Sequence, residues 1–171
     1  IGLPSYGTST CRGGACAATN LDDKYPYQAN TRLESPYVQL PDSVALADGE
    51  LWLGFWHWFS LSEGNGLDYC AVEIWTEDSG WASVGHSFYR HGAVWSIYYV
   101  DITPYAGREI KLGFRLDDER ASGIHDPAQA PGWCVDDIRI FDGAFPSLEA
   151  VNNFRTTDPD TWDGWYCTRG Q

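Results

Sequence analysis

Apolar and polar positions alternate through most of residues 31–141, with the two-residue period of strands whose two faces differ in burial. Leu33, Val38 and Leu40 alternate with polar residues over 31–40. Residues 51–61 read Leu-Trp-Leu-Gly-Phe-Trp-His-Trp-Phe-Ser-Leu, apolar on both faces, which predicts a central strand covered on both sides. Within it Trp52, Trp56 and Trp58 share one face, which the pattern assigns to the core. Cys70, Val72 and Ile74 share a face of 69–75, and segments 82–89 and 93–101 follow, split at His91-Gly92. Ile110, Leu112, Phe114 and Leu116 alternate over 109–116. Cys134, Asp136, Ile138 and Ile140 share the expected inward face of 133–141. Helical periodicity is weak, and Pro104-Tyr105-Ala106-Gly107 reads as a single turn ended by glycine.

Short strands at regular spacing without intervening helices predict an all-β fold, an antiparallel two-sheet β-sandwich of the jelly-roll type. Residues 31–143 form the expected jelly-roll domain. Residues 1–30 are loop-rich, and 144–171 form a C-terminal extension holding Trp162, Trp165 and Cys167. Both ends are expected to dock on the sandwich or on a neighbour, with a short helix over 148–154.

Charge narrows the partners. The net charge is −13 at pH 7, which repels phosphate backbones and anionic membranes and favours divalent cations. No apolar run is long enough for a membrane-spanning helix. The chain contains no Met, and its start lacks the basic and apolar regions of a signal peptide. We expect a processed product or an excised piece of a longer chain, in an extracellular setting. The cysteines support that setting. Cys11 and Cys16 enclose Arg-Gly-Gly-Ala, a spacing that closes a tight disulfide loop. Cys70 and Cys134, both on expected inward faces, are assigned to a second bridge, with Cys134 to Cys167 as the alternative. The count of 5 is odd, which leaves one thiol free or bonded to another chain.

Three phrases stand in order along the chain. Leu33-Glu34-Ser35-Pro36-Tyr37-Val38-Gln39-Leu40 precedes Leu53-Gly54-Phe55-Trp56-His57-Trp58. Asp68-Tyr69-Cys70-Ala71-Val72-Glu73-Ile74 precedes Ser79-Gly80-Trp81. Trp95, Val100-Asp101-Ile102 and Tyr105-Ala106-Gly107 lead to Pro131-Gly132-Trp133-Cys134-Val135-Asp136-Asp137-Ile138. The ordered set resembles the MAM-like jelly-roll domains of secreted bacterial proteins, including those beside immune-inhibitor-A-type metallopeptidases and the cleaved-adhesin domains. The resemblance covers residues 31–142 and departs from the pattern at Cys70 and Cys134. It implies a non-catalytic accessory role, often calcium-stabilised and sometimes adhesive or glycan-binding.

Two kinds of site are expected. Asp136 on an inward face needs a cation or several donors, Arg115 being one alternative partner. With Asp22, Asp23 and Asp68 it forms the expected structural calcium set, since calcium gathers oxygens from several loops. Asp117-Asp118-Glu119 reads instead as a solvated loop. Trp75, Trp81, Trp95 and Tyr98 are expected to form an aromatic platform for a glycan. His57 reads as a structural histidine, and the metallopeptidase and hydrolase signatures HExxH and GxSxG do not occur. These features predict an extracellular binding or adhesion module for a glycan or protein. One alternative is a structural subunit of a filament or surface layer, a homo-oligomer joined through the termini. The other is an accessory domain of a secreted metallopeptidase.

Overall fold

The computed structural model describes residues 16–20, 24–26, 28–46, 49–62, 68–92, 94–118 and 130–143, with the backbone of a strand at 166–169. Cys11, Asp22, Asp23 and the helix expected over 148–154 lie outside the described residues. The chain forms two antiparallel sheets facing each other. Its strands are β1 (Ala17–Ala18), β2 (Asn30–Glu34), β3 (Val38–Gln39), β4 (Leu51–Ser60), β5 (Asp68–Thr76), β6 (Gly80–Tyr89), β7 (Ser96–Asp101), β8 (Glu109–Asp118), β9 (Gly132–Asp142) and β10 (Tyr166–Arg169). The first sheet runs β1-β9-β4-β7 and the second β10-β2-β8-β5-β6, with β3 also paired to β8. Each segment predicted as a strand holds one, except that the run over 31–40 is divided into β2 and β3, and the turn expected near Pro104 is a 3-10 turn over Thr103–Tyr105. Both flanks contribute a strand to this chain's own sheets, β1 against β9 and β10 against β2. No helix among the described residues is long and apolar enough to cross a membrane.

The core lies between the sheets. Leu51, Leu53 and Phe55 of β4 face Val72 and Ile74 of β5 and Leu112, Phe114 and Leu116 of β8, all within one buried cluster. The Phe55 ring meets Phe114 edge-on at 5.0 Å and His57 at 5.4 Å. The odd-numbered residues of β4 therefore point inward. This corrects the expectation for its tryptophans, because Trp56 and Trp58 turn to the outer face of the sheet.

A bulge accounts for the second correction. Gly54 pairs with Arg139 but Trp56 pairs with Asp136, so one β4 residue, Phe55, stands opposite two β9 residues, Asp137 and Ile138. Asp137 absorbs the extra residue at φ 49, a left-handed conformation that aspartate tolerates better than most residues. Before the bulge Trp133 and Val135 face the core; after it Ile138 and Ile140 do. Cys134 and Asp136 thus fall on the outer face, and Cys134 packs with Trp58 and Trp95. Cys70 stays inside the core, so the two thiols belong to different clusters. The expected Cys70–Cys134 bridge does not form, and both are free buried thiols. Burial pushes the Cys134 thiol up to about 12 and the Cys70 thiol well above its ordinary range. Cys16 is disulfide-bonded.

His57 sits at the centre of the aromatic core, 3% exposed. Trp133 Nε1 donates to its Nδ1 at 3.3 Å, and Phe88 lies 4.5 Å from its ring centroid. Loss of hydration, with a smaller contribution from His86, lowers its pKa to about 4. The ring is therefore neutral in the folded protein, while the unfolded chain takes up the proton near pH 6.5. Stability from this group is complete above pH 6.5 and is lost as the pH falls toward 4. The full linkage amounts to about 3 kcal/mol. Urea unfolding across this window should show a steeper fall for the native protein than for His57→Gln. Parallel pH profiles for the two would contradict this account of His57.

Candidate functional site

The outer face of the second sheet carries a continuous set of polar and aromatic side chains. Its position follows from the hairpin between β5 and β6. Glu77, Asp78 and Ser79 form the turn, and Gly80 at φ 67 supplies the left-handed residue that such a loop requires. The turn places Trp75 directly opposite Trp81 across the two strands. Alternation along β5 turns Trp75 away from the buried Ile74.

A break in the neighbouring strand brings in Tyr37. The sequence pattern suggested one strand over 31–40, but the structure divides it into β2 and β3 around Pro36. Proline has no N–H for the ladder. Ser35 anchors the break instead: its backbone N–H donates to Leu112 O at 2.9 Å, and its hydroxyl accepts from Leu112 N at 2.8 Å. Beyond the break Tyr37 is 54% exposed and stands edge-on to Trp75, with centroids 5.6 Å apart and planes at 73°. These two rings line a cleft of about 680 Å³ with Thr76, Glu77, Asp78, Arg108 and Glu109. Arg108 approaches Asp78 at 3.5 Å. The Lys111 ammonium lies over the Tyr37 ring, 4.7 Å from its centroid.

Beside the cleft the same face carries alternating charges. Lys111 and Arg32 approach Glu34 at 3.7 and 3.8 Å. Arg32 Nε donates to Glu73 at 2.6 Å, Arg115 reaches Glu73 at 3.4 Å, and Arg115 also pairs with Asp117. Burial alone would lower the Arg115 pKa, but Asp117, Tyr69 and Glu73 raise it above the usual guanidinium range. These pairs give the buried Glu34 and Glu73 side chains the partners that burial requires. They also correct the reading of Asp117 and Asp118 as a solvated loop, since both are buried at the end of β8. Arg115, one possible partner for Asp136, is engaged here on the opposite sheet.

Only one of the four predicted platform residues lines this cleft. Trp75 does. Trp81 shares the face, but the Arg32 guanidinium lies over its ring at 4.3 Å. Its edge also reaches Gly113 so closely that a Cβ there would stand 2.6 Å from the ring. Trp95 is 8% exposed beneath the outer surface of the first sheet, against Trp58. Tyr98 packs on the core, 5.8 Å from Phe55, with its hydroxyl 2.6 Å from His86 Nδ1. Composition alone did not separate these environments. Tyr37 was missed, although a proline within an alternating run is a sequence signal for a broken strand.

The two expected metal residues that are described, Asp68 and Asp136, lie on different sheets. Asp136 lies in β9, with its Oδ1 accepting the Asp137 N–H at 2.8 Å. Asp68 lies in β5 opposite Asp118 of β8. The Tyr25 hydroxyl donates to Asp68 and accepts the Ser62 N–H at 2.8 Å, while the Gln28 N–H donates to Asp118 at 3.0 Å. A further cavity of about 440 Å³ opens between β1 and β2, walled by core side chains including Phe114, Leu116 and Trp133. Thr19, Asn20, Lys24, Thr31 and Arg32 also line it, but neither Tyr37 nor Trp75 does.

No family model matches the chain. Bacillopeptidase F of Bacillus subtilis (strain 168) is 29% identical over 143 residues, covering 82% of this chain. The chain spans 9% of that relative's length. A solved structure of TmCBM61 in complex with β-1,4-galactotriose matches at a TM-score of 0.41 and 18% identity, over 68% of this chain and 67% of that one.

Proposed function

We propose that the protein is a non-catalytic extracellular module of the MAM-like jelly-roll kind that binds glycans in the cleft between Tyr37 and Trp75. The carrying observation is that cleft: an exposed Tyr37 and a half-buried Trp75 with carboxylates and a guanidinium around them. Pyranose rings present an apolar C–H face that stacks on an aromatic ring, and hydroxyls that ionised side chains bind well. The sandwich fixes Trp75 on a central strand, so the platform exists before ligand arrives. A second reading, an accessory module of a secreted peptidase, is favoured by the likeness to Bacillopeptidase F across most of this chain. The two readings are compatible if such a module tethers a peptidase to a glycan.

Trp75→Ala should weaken glycan binding by about tenfold or more, as one lost stacking contact requires. Isothermal titration against a ligand chosen from a glycan array reads this directly. Unchanged affinity with a native far-UV spectrum would place the site elsewhere.

A structural calcium ion belongs to the same proposal. Asp68 and Asp118 fit it best, being buried carboxylates on directly paired residues. Asp136 does not fit with them, because it lies on the outer face of the other sheet. Calcium at about a hundredfold over its Kd would stabilise the fold by about 2.7 kcal/mol. Thermal unfolding should therefore shift upward with calcium and back with a chelator, and Asp68→Asn should abolish the shift. A melting temperature indifferent to calcium would remove the ion from the proposal.

A further inference from the structure

We infer that the cleft selects single, soluble, uncharged glycan chains over crystalline polysaccharide faces and polyanionic glycans. The inference rests on the reading of the cleft as a glycan site and adds the class of ligand. Two independent observations carry it.

The first is the angle between the rings. A crystalline polysaccharide offers a flat face, and adsorption to it needs several aromatic rings in one plane. Here the planes of Tyr37 and Trp75 stand at 73°, so the two rings cannot both lie flat on one surface. Neither Trp81 nor Lys111 relieves this. The Trp81 ring is covered by Arg32, and the Lys111 ammonium occupies a face of Tyr37. What remains is a corner between two steeply inclined rings, Trp75 and Tyr37. A corner fits one chain, held on two sides.

The second is the charge around the corner. Glu77, Asp78 and Glu109 set three carboxylates against the single guanidinium of Arg108, a formal balance of −2 among the lining residues. That guanidinium is itself drawn toward Asp78 at 3.5 Å. The whole chain adds a net charge of −13. A uronate or sulfate entering the cleft meets repulsion at the site and at long range, which works against such ligands. A neutral chain meets neither, and its hydroxyls find both acceptors and a donor.

The test measures the intact protein and Trp75→Ala side by side against three sets of polymer. These are soluble neutral polysaccharides (a galactan, a xylan, a mannan and a mixed-linkage glucan), soluble polyanions (polygalacturonate and heparin), and insoluble crystalline cellulose and chitin. Affinity electrophoresis covers the soluble sets and pull-down the insoluble one. We expect at least one neutral polysaccharide to bind, with affinity reduced about tenfold or more in Trp75→Ala. That binding should change little between low and high salt, because no ion pair forms. Polyanions and crystalline polymers should retain the two proteins equally. Trp75-dependent adsorption to a crystalline face or a polyanion overturns the selectivity and leaves the glycan reading standing. Absence of Trp75-dependent binding across all three sets overturns the glycan reading and the inference together.

Discussion

The sandwich depends on a one-residue bulge in its central sheet. Phe55 of β4 faces both Asp137 and Ile138 of β9, and that extra residue reverses which side chains of β9 look inward. A strand with strict alternation could place Trp133 and Val135 in the core, or Ile138 and Ile140, but not all four. The bulge places all four there, and Phe55 fills the space opposite it with ring contacts to Phe114, Tyr98 and Trp133. The same reversal carries Cys134 and Asp136 to the outer surface. Core packing, thiol chemistry and the division of the acidic residues therefore share one geometric cause.

This constraint also marks the boundary of what the sequence reveals. Alternation over 109–116 correctly places Ile110, Leu112, Phe114 and Leu116 in the core, because β8 keeps one register against β5. Alternation over 133–141 fails at its first half, because the bulge residue is an aspartate and carries no glycine to announce it. The Trp-rich strand fails for another reason. Both faces of β4 are apolar, so periodicity cannot say which one is inward, and the larger indoles drew the assignment away from Phe55 and His57. His57 as a structural residue was legible from its setting among aromatics, and its displaced pKa follows from burial there.

The candidate site was half legible. Trp75 could be named from strand alternation and its place before a Glu-Asp-Ser-Gly turn. Its partner Tyr37 depends on the strand break at Pro36, and the exclusion of Trp81 depends on Arg32 reaching over its ring from β2. Contacts of that kind join strands far apart in sequence, and local pattern does not contain them. The sheet thus spends one indole on a buried charge network and leaves the other at the cleft.

The central claim is that ligand meets this module at Trp75 and not at its other tryptophans. The chain has 9 tryptophans, and each indole N–H gives its own signal in a proton–nitrogen correlation spectrum. Titration with a bound neutral oligosaccharide should shift the Trp75 signal most. The buried Trp58, Trp95 and Trp133 signals should stay in place. Shifts centred on Trp58 and Trp95, with Trp75 unmoved, would put the binding face on the opposite sheet and contradict the account.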